Sequence, residues 1–304
     1  MSWLSFELSV LRRLKFRSIA LPLAGEPQLG SYLKRWDTRV ISNDPAQWSW
    51  TKSVAFIENN SESLTEDDLA IILDDAYIPG NYFRNTTLVT WLNETDAWWF
   101  DNVRVNTERL ASSYKRALAL ALGMSVGDYV FSFNLETRDL RQPLSLSSVY
   151  RRLWQTITPP FDNGQLNRSL NQPIKTFLAE LYDAELLFMR LPHPPRASDS
   201  RNARVLSWRE EWLRQGKGPW SDTAQNRPAR FGIETKEQYL RSIEDLLHTS
   251  AHLPLWAIEG ISDGFVSTDE LVECVANARK IDAIYTKDFS ELMGIKAVII
   301  TARA

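Results

Sequence analysis

Two turns in this sequence gather residue types that do chemistry. The first is Pro22-Leu23-Ala24-Gly25-Glu26-Pro27-Gln28-Leu29-Gly30, followed further on by Ile41-Ser42-Asn43-Asp44-Pro45. Gly25 and Gly30 let a backbone approach a ligand closely, and an acid such as Asp44 about 20 residues on accepts hydrogen bonds from ribose hydroxyls. That is a nucleotide-type arrangement; Asp44 before a proline also suits an ordinary turn. The second is the end of LLFMRLPHPPR, an apolar strand-like run interrupted by Arg190 and closed by His193, Pro194 and Pro195. A neutral His193 accepts a hydrogen bond through one ring nitrogen, but no carboxylate or carboxamide precedes the prolines.

Charge offers a third candidate. Residues 61–102 carry nine acids against one base, Arg84, whereas 190–230 carry nine bases against four acids. Arg201, Arg204, Arg209, Arg214 and Lys217 lie beside Trp208, Trp212 and Trp220, so this segment could track a phosphate backbone and stack bases. The same composition fits a solvated loop that balances the acidic segment. His248 and His252 are spaced i, i+4 with no third ligand nearby, so a helix terminus is expected there and no metal site. No Gly-x-Ser-x-Gly elbow and no phosphate-binding Walker loop occurs.

These residues need elements to hold them. SIALPL (18–23) reads as a strand, Leu29 to Trp36 as a short helix, TRVIS (38–42) as a second strand, and Gln47 to Asn59 as a helix with Trp50, Val54 and Ile57 on one face. Strand–helix–strand over so short a span argues a parallel unit beginning a doubly wound sheet. Residues 61–155 break the rhythm. Thr65-x-x-Asp68 starts a helix with a capping-box pattern, Ile78-Pro79-Gly80-Asn81 is a loop, and Arg104 to Leu122 reads as one long helix closed by Gly123. The alternation then resumes. Leu166 to Leu181 has helical spacing, Glu185 to Leu191 is a strand, and a long irregular stretch runs to about Phe231. Thr235 to His248 is an amphipathic helix with Tyr239, Ile243, Leu246 and Leu247 apolar. LPLWAI (253–258) is a strand, Ser267-x-x-Glu270 caps the next helix, and Ile281 to Tyr285 and Lys296 to Thr301 close the sheet. The expected domains are an α/β core over 1–60 and 156–304 with a helical insertion over 61–155.

The chain has 304 residues, 44% of them hydrophobic and 24% charged, with a net charge of −3, an ordinary globular balance. Its 12 tryptophans, including Trp98 and Trp99, point to aromatic packing or a contact surface. The single Cys274 excludes an internal disulfide and a cysteine-rich metal site. The opening MSWLSFELSVLRRLKFR places its basic residues after the apolar ones, the wrong order for a secretory signal, and no run is long enough to span a membrane. A cytoplasmic protein without a membrane partner is expected.

Pro22-Leu23-Ala24-Gly25, then Leu29-Gly30-Ser31-Tyr32-Leu33-Lys34-Arg35, then Val40-Ile41-Ser42-Asn43-Asp44 resembles the first cofactor motif of the adenine-specific DNA methyltransferases of the D12 class. The element order is also similar: a helical insertion, a strand with a Pro-Pro corner, a long polar loop, and a strand of the LPLWAIEG kind. After that strand, Ile261-Ser262-Asp263-Gly264 and the Ser267 cap follow the family's acidic-Gly turn and capped helix. The resemblance implies a class I S-adenosylmethionine-dependent methyltransferase fold, Rossmann-like and doubly wound, acting on the exocyclic amine of an adenine taken out of duplex DNA. It implies cofactor contacts at Gly25, Gly30, Asp44 and Asp162.

The chain departs from that pattern at both turns. The family places Asp or Asn before the prolines and an aromatic after them; here His193 and Arg196 stand there, with Arg190 at the strand end. A strand-end arginine repels a sulfonium and offers the amine no acceptor. Pro27 replaces the second glycine of the cofactor turn and removes a donor. The resulting expectation is an inactive methyltransferase-like protein that binds double-stranded DNA or a partner protein, with S-adenosylmethionine doubtful. Two alternatives stand beside it: an active enzyme built on His193, Asp44 and Asp162, and an interaction scaffold using the acidic, Trp-rich insertion.

Overall fold

A computed structural model describes residues 3–133, 137, 140, 144–191, 200–215, 235–262, 265–293 and 295–304. Along the chain, α1 (Trp3–Leu11) precedes β1 (Ser18–Leu21), α2 (Gln28–Lys34) and β2 (Arg39–Asn43). A helical stretch follows: α3 (Gln47–Ser53) with a π-helical turn over Val54–Glu58, α4 (Glu66–Ile72), α5 (Leu88–Trp91), α6 (Glu94–Asn106), α7 (Ser113–Ser132) and α8 (Leu146–Thr156). Then come β3 (Arg168–Leu170), α9 (Ile174–Glu180), β4 (Leu186–Arg190), α10 (Ser200–Arg214) and α11 (Lys236–Thr249). The chain closes with β5 (Leu255–Ser262), α12 (Thr268–Ala278), β6 (Lys280–Asp288), α13 (Ser290–Met293) and β7 (Lys296–Arg303).

The strands form one mixed seven-stranded sheet in the order β3-β2-β1-β4-β5-β7-β6, so the chain is α/β. β3, β2, β1, β4 and β5 run parallel, and β7 pairs antiparallel with both β5 and β6. The central strands SIAL and LLFM are buried throughout, as parallel strands covered on both faces must be. The expected helices Thr65-on, Thr235-on and Ser267-on all begin with formed capping boxes, and Tyr239, Ile243, Leu246 and Leu247 are the buried face of α11.

Three expected elements differ. Leu166 to Leu181 is not one helix: β3 pairs with β2, and the helix starts only after Pro173. The pairing is fixed by side chains, since Asn167 accepts the Val40 N–H through Oδ1 at 2.9 Å, and Leu166, which set the helical spacing, is 81% exposed. Arg104 to Leu122 is broken, because α6 stops at Asn106, a 3₁₀ turn follows, and Ser112 caps a new helix by accepting the Lys115 N–H. Gly123 therefore sits inside α7 rather than at its end. The irregular stretch before Phe231 contains α10.

Two compact units result: 1–45 with 163–195 and 228–304, and 46–162 with 196–227. The second unit takes in residues 46–60 and α10, which the expected boundaries assigned to the α/β core. The reason is local. The Glu210 carboxylate of α10 accepts the Gln47 and Trp48 N–H groups that open α3, at 3.1 and 3.2 Å, and so caps that helix. Trp48 also shares a core with α7 and α10. In that core Trp208 and Trp212 stack in parallel at 5.6 Å, Phe100 meets both edge-on, and the Trp212 indole donates to the Phe100 carbonyl at 2.9 Å. Among the described residues no helix is long and apolar enough to cross a membrane.

Gly123 and Gly127 make room for those rings: an added Cβ would lie 2.3 Å from Trp212 and 2.2 Å from Trp208. Alanine favours a helix interior over glycine by about 1 kcal/mol, but the overlap with buried, rigid indoles opposes that gain with an overpacking penalty of about 1–3 kcal/mol. Gly127→Ala should therefore destabilise the protein in urea denaturation. A rise in the unfolding midpoint would show that the indole is not confined there.

Candidate functional site

The carboxyl ends of parallel strands are where ligands bind in open α/β sheets, and in the α/β unit these ends are laced together by side chains. Gly25 holds φ at +60°, a conformation that favours glycine, and its N–H donates to Asp44 Oδ2 at 2.9 Å. Asn43 donates through Nδ2 to the Pro22 and Gln172 carbonyls at 3.2 and 3.1 Å and accepts the Gln172 N–H at 3.0 Å. Asn171 donates to the Asp44 carbonyl at 2.7 Å. The Asp44 carboxylate, expected to meet a ribose, thus binds the β1 turn itself. Gly30 is buried on α2, whose first turn follows Pro27.

Arg190, the last residue of β4, is the hub of this edge. Its Nε and one terminal nitrogen grip Glu7 of α1 in bidentate fashion at 2.7 and 2.9 Å, and the other terminal nitrogen donates to the Ala24 carbonyl at 3.0 Å. Glu259 on β5 lies 3.5 Å from Nε. Glu7 and Glu259 are buried, so two buried carboxyl groups share one part-exposed guanidinium. Burial first, and then the Glu7 charge, push the Glu259 carboxyl well above the ordinary carboxylate range, against the pull of Arg190 and a hydrogen bond from Trp3. Burial works against the Arg190 charge, but Glu7 and then Glu259 outweigh it and hold the guanidinium above its usual range. Two carboxyl groups thus meet one cation, and the shift at Glu259 is in the direction of its protonated form. Glu259 Oε1 has no hydrogen-bond partner among the described residues.

The remaining predicted residues are not gathered here. His193, Pro194, Pro195 and Lys217 lie outside the described residues, and Arg201 falls on α10. Asp162 belongs to the helical unit and precedes β3, whereas a residue at the sheet's carboxyl edge would follow Leu170. Arg209 is buried, paired with Asp128 at 2.5 Å and set over the Trp48 ring. Arg214 pairs with Glu210 at 2.6 Å, and exposed Arg204 lies over Phe131. Trp208 and Trp212 are both fully buried, so neither ring is placed to stack on a base. His252 contacts the Leu181 carbonyl and meets the Tyr182 ring at a tilt; among the described residues no group of three or more metal-ligating side chains occurs.

Glu7 and Glu259 were not anticipated. Their signal was an acid inside an otherwise apolar element, WLSFELSVL and LWAIEGIS, because a buried charge requires a partner or a proton.

Arg190→Met should cost about 3 kcal/mol at neutral pH, because it strands the Glu7 charge in a dry site; a urea-melt difference below about 1 kcal/mol would mean the edge does not depend on the cation. Glu259 gives a pH signature. The folded chain holds this proton to higher pH than the unfolded chain, so its contribution is complete below the unfolded pKa and is lost as pH rises through the folded one. Glu259→Gln, which mimics the protonated acid, should therefore raise the melting temperature at about pH 8 and much less at about pH 5. An equal shift at both would contradict the retained proton.

Comparison with protein-family models and with curated proteins returns no match for this chain, so its functional reading rests on the geometry of this edge.

Proposed function

We propose that the chain is a divergent relative of the D12-class adenine methyltransferases that does not transfer methyl groups and acts by binding a partner. The single observation that carries the reading is the Arg190 guanidinium at the end of the central strand, bonded to Glu7 and to the Ala24 carbonyl of the first turn. The strand order supports the fold-level part. It follows the 3-2-1-4-5-6 order of doubly wound nucleotide-binding sheets, with one reversed strand, β7, entered between β5 and β6. The class I methyltransferase fold implied by the resemblance fits that arrangement.

The residues present do not fit S-adenosylmethionine. A sulfonium at this edge would face the Arg190 guanidinium, a like charge that its Glu7 partner offsets in part. The Asp44 carboxylate already accepts the Gly25 N–H, and Pro27 withholds a backbone donor from the turn. The active-enzyme alternative also needs Asp162 at the carboxyl edge, and Asp162 precedes β3.

Between the two kinds of partner, the described side chains favour protein. The arginines proposed for phosphates include Arg209 and Arg214, which serve ion pairs inside the helical unit, and of the tryptophans proposed for bases Trp208 and Trp212 are buried, while Trp220 lies outside the described residues. Titration calorimetry with millimolar S-adenosylmethionine should give no heat, and the cofactor should leave the melting temperature unchanged. A saturable heat would overturn the non-catalytic reading. In the same series, duplex DNA retained with an affinity that falls steeply with salt would make DNA the partner.

A further inference from the structure

The helical unit holds one loop rigidly while leaving its apolar side chains in water. Residues 75–85 join α4 to α5, and three groups on α6 fasten them. Asn102 donates through Nδ2 to the carbonyls of Asp75, Ala76 and Ile78, at 3.3, 3.2 and 2.9 Å. The buried Asp101 carboxylate accepts the Arg84 and Asn85 N–H groups at 2.9 and 3.0 Å. Trp98 lies beneath the loop, with Phe83 stacked on it at 3.9 Å and Gly80 against its edge. A loop tied at both ends and the middle loses little further freedom when it binds, and that is the condition under which exposed side chains yield affinity.

The side chains this loop presents are apolar. Ile78 is 57% exposed and Tyr82 75% exposed, with Pro79 between them also exposed. Large apolar groups in water on a fixed frame are the composition of binding anchors rather than of a surface turn. The surrounding charge is mainly negative, and the base next to the loop, Arg109, is paired with Asp74. Asp75 begins the loop, and Glu94 stands four residues before Trp98, on the same face of α6. Both acids are exposed and neither has an ion pair among the described residues. The one base of the segment, Arg84, is turned back onto Asp101 and Asn102.

We propose that residues 75–85 are a docking site for a basic segment of another protein, one that seats an aliphatic or aromatic side chain against Ile78 and Tyr82 and sets its lysines or arginines against Asp75 and Glu94. The proposal rests on the reading that this chain acts by binding, and it replaces Trp98 and Trp99, which are buried, with the residues that face solvent.

The test is a phage-displayed random peptide library panned on the full chain at low salt, with the Ile78→Asp/Tyr82→Ala double variant as the comparison protein. Both substituted side chains are exposed, so unchanged circular dichroism and melting temperature verify the fold. Enriched peptides should combine Lys or Arg with an apolar residue, bind the variant at least about tenfold more weakly, and weaken as salt rises. Charge reversal at Asp75→Lys/Glu94→Lys should weaken the same peptides by about fivefold or more. No enrichment, peptides without basic residues, or equal binding to the variant would each overturn the proposal. So would a concentration-dependent dimer abolished by the double variant, since the occupant would then be a second copy. None of these outcomes depends on S-adenosylmethionine, so the docking site and the non-catalytic reading can fail separately.

Discussion

The α/β unit depends on one guanidinium. Arg190 ends the central strand, and three elements meet on it at the sheet's carboxyl edge: α1 through Glu7, the β1 turn through the Ala24 carbonyl, and β5 through Glu259. Arginine is the residue type suited to this place. Its planar fork satisfies a carboxylate bidentately and still has a donor left for a carbonyl, whereas a lysine would offer a point charge. Burying two carboxyl groups around one cation is costly, and the upward shift of the Glu259 carboxyl, driven by burial and then by Glu7, is the direction that lowers that cost.

The helical unit is organised by shape instead of charge. Its core places stacked indoles from α10 against a glycine pair on α7, so that two Trp side chains reach the helix backbone where any other residue would hold them off. Glu210 does for α3 what a capping side chain would otherwise do from within the same segment. The three residues Trp98, Asp101 and Asn102, on neighbouring turns of α6, then shape an external loop from a buried frame. Rigid support for a solvent-facing feature is the logic by which scaffolds present binding residues.

What could be read in the sequence followed periodicity and caps. The apolar face of α11, the capping boxes at Thr65 and Ser267, and the buried strands β1 and β4 each announce themselves within a few residues. β3 did not, because three edge residues carry no alternation and their register is fixed by Asn167, an amide that sequence alone cannot aim. α10 was hidden by composition: its arginines and serines read as loop, although Trp208 and Trp212 four residues apart were a helix signal. Gly123 read as a helix stop because glycine more often ends helices than admits a neighbour. Glu7 and Arg190 stand 183 residues apart, and a charge pairing at that distance has no local trace beyond an acid in an apolar helix.

Under the proposed reading, the state of the carboxyl edge also bears on why the fold persists without methyl transfer. An enzyme keeps polar groups at this edge poised and only partly satisfied until a ligand arrives, at the expense of stability. Here the chain's own side chains satisfy those groups: Asp44 takes the Gly25 N–H, Asn43 bridges the ends of β1 and β3, and Arg190 takes the Ala24 carbonyl. Each of these bonds stabilises the folded protein and occupies a group that a ligand would need. An acid at Glu7 stabilises an edge that carries Arg190, because it pairs the guanidinium bidentately. Under the proposed reading the sheet then serves as a rigid platform, and recognition is left to surfaces outside the inherited cofactor turn.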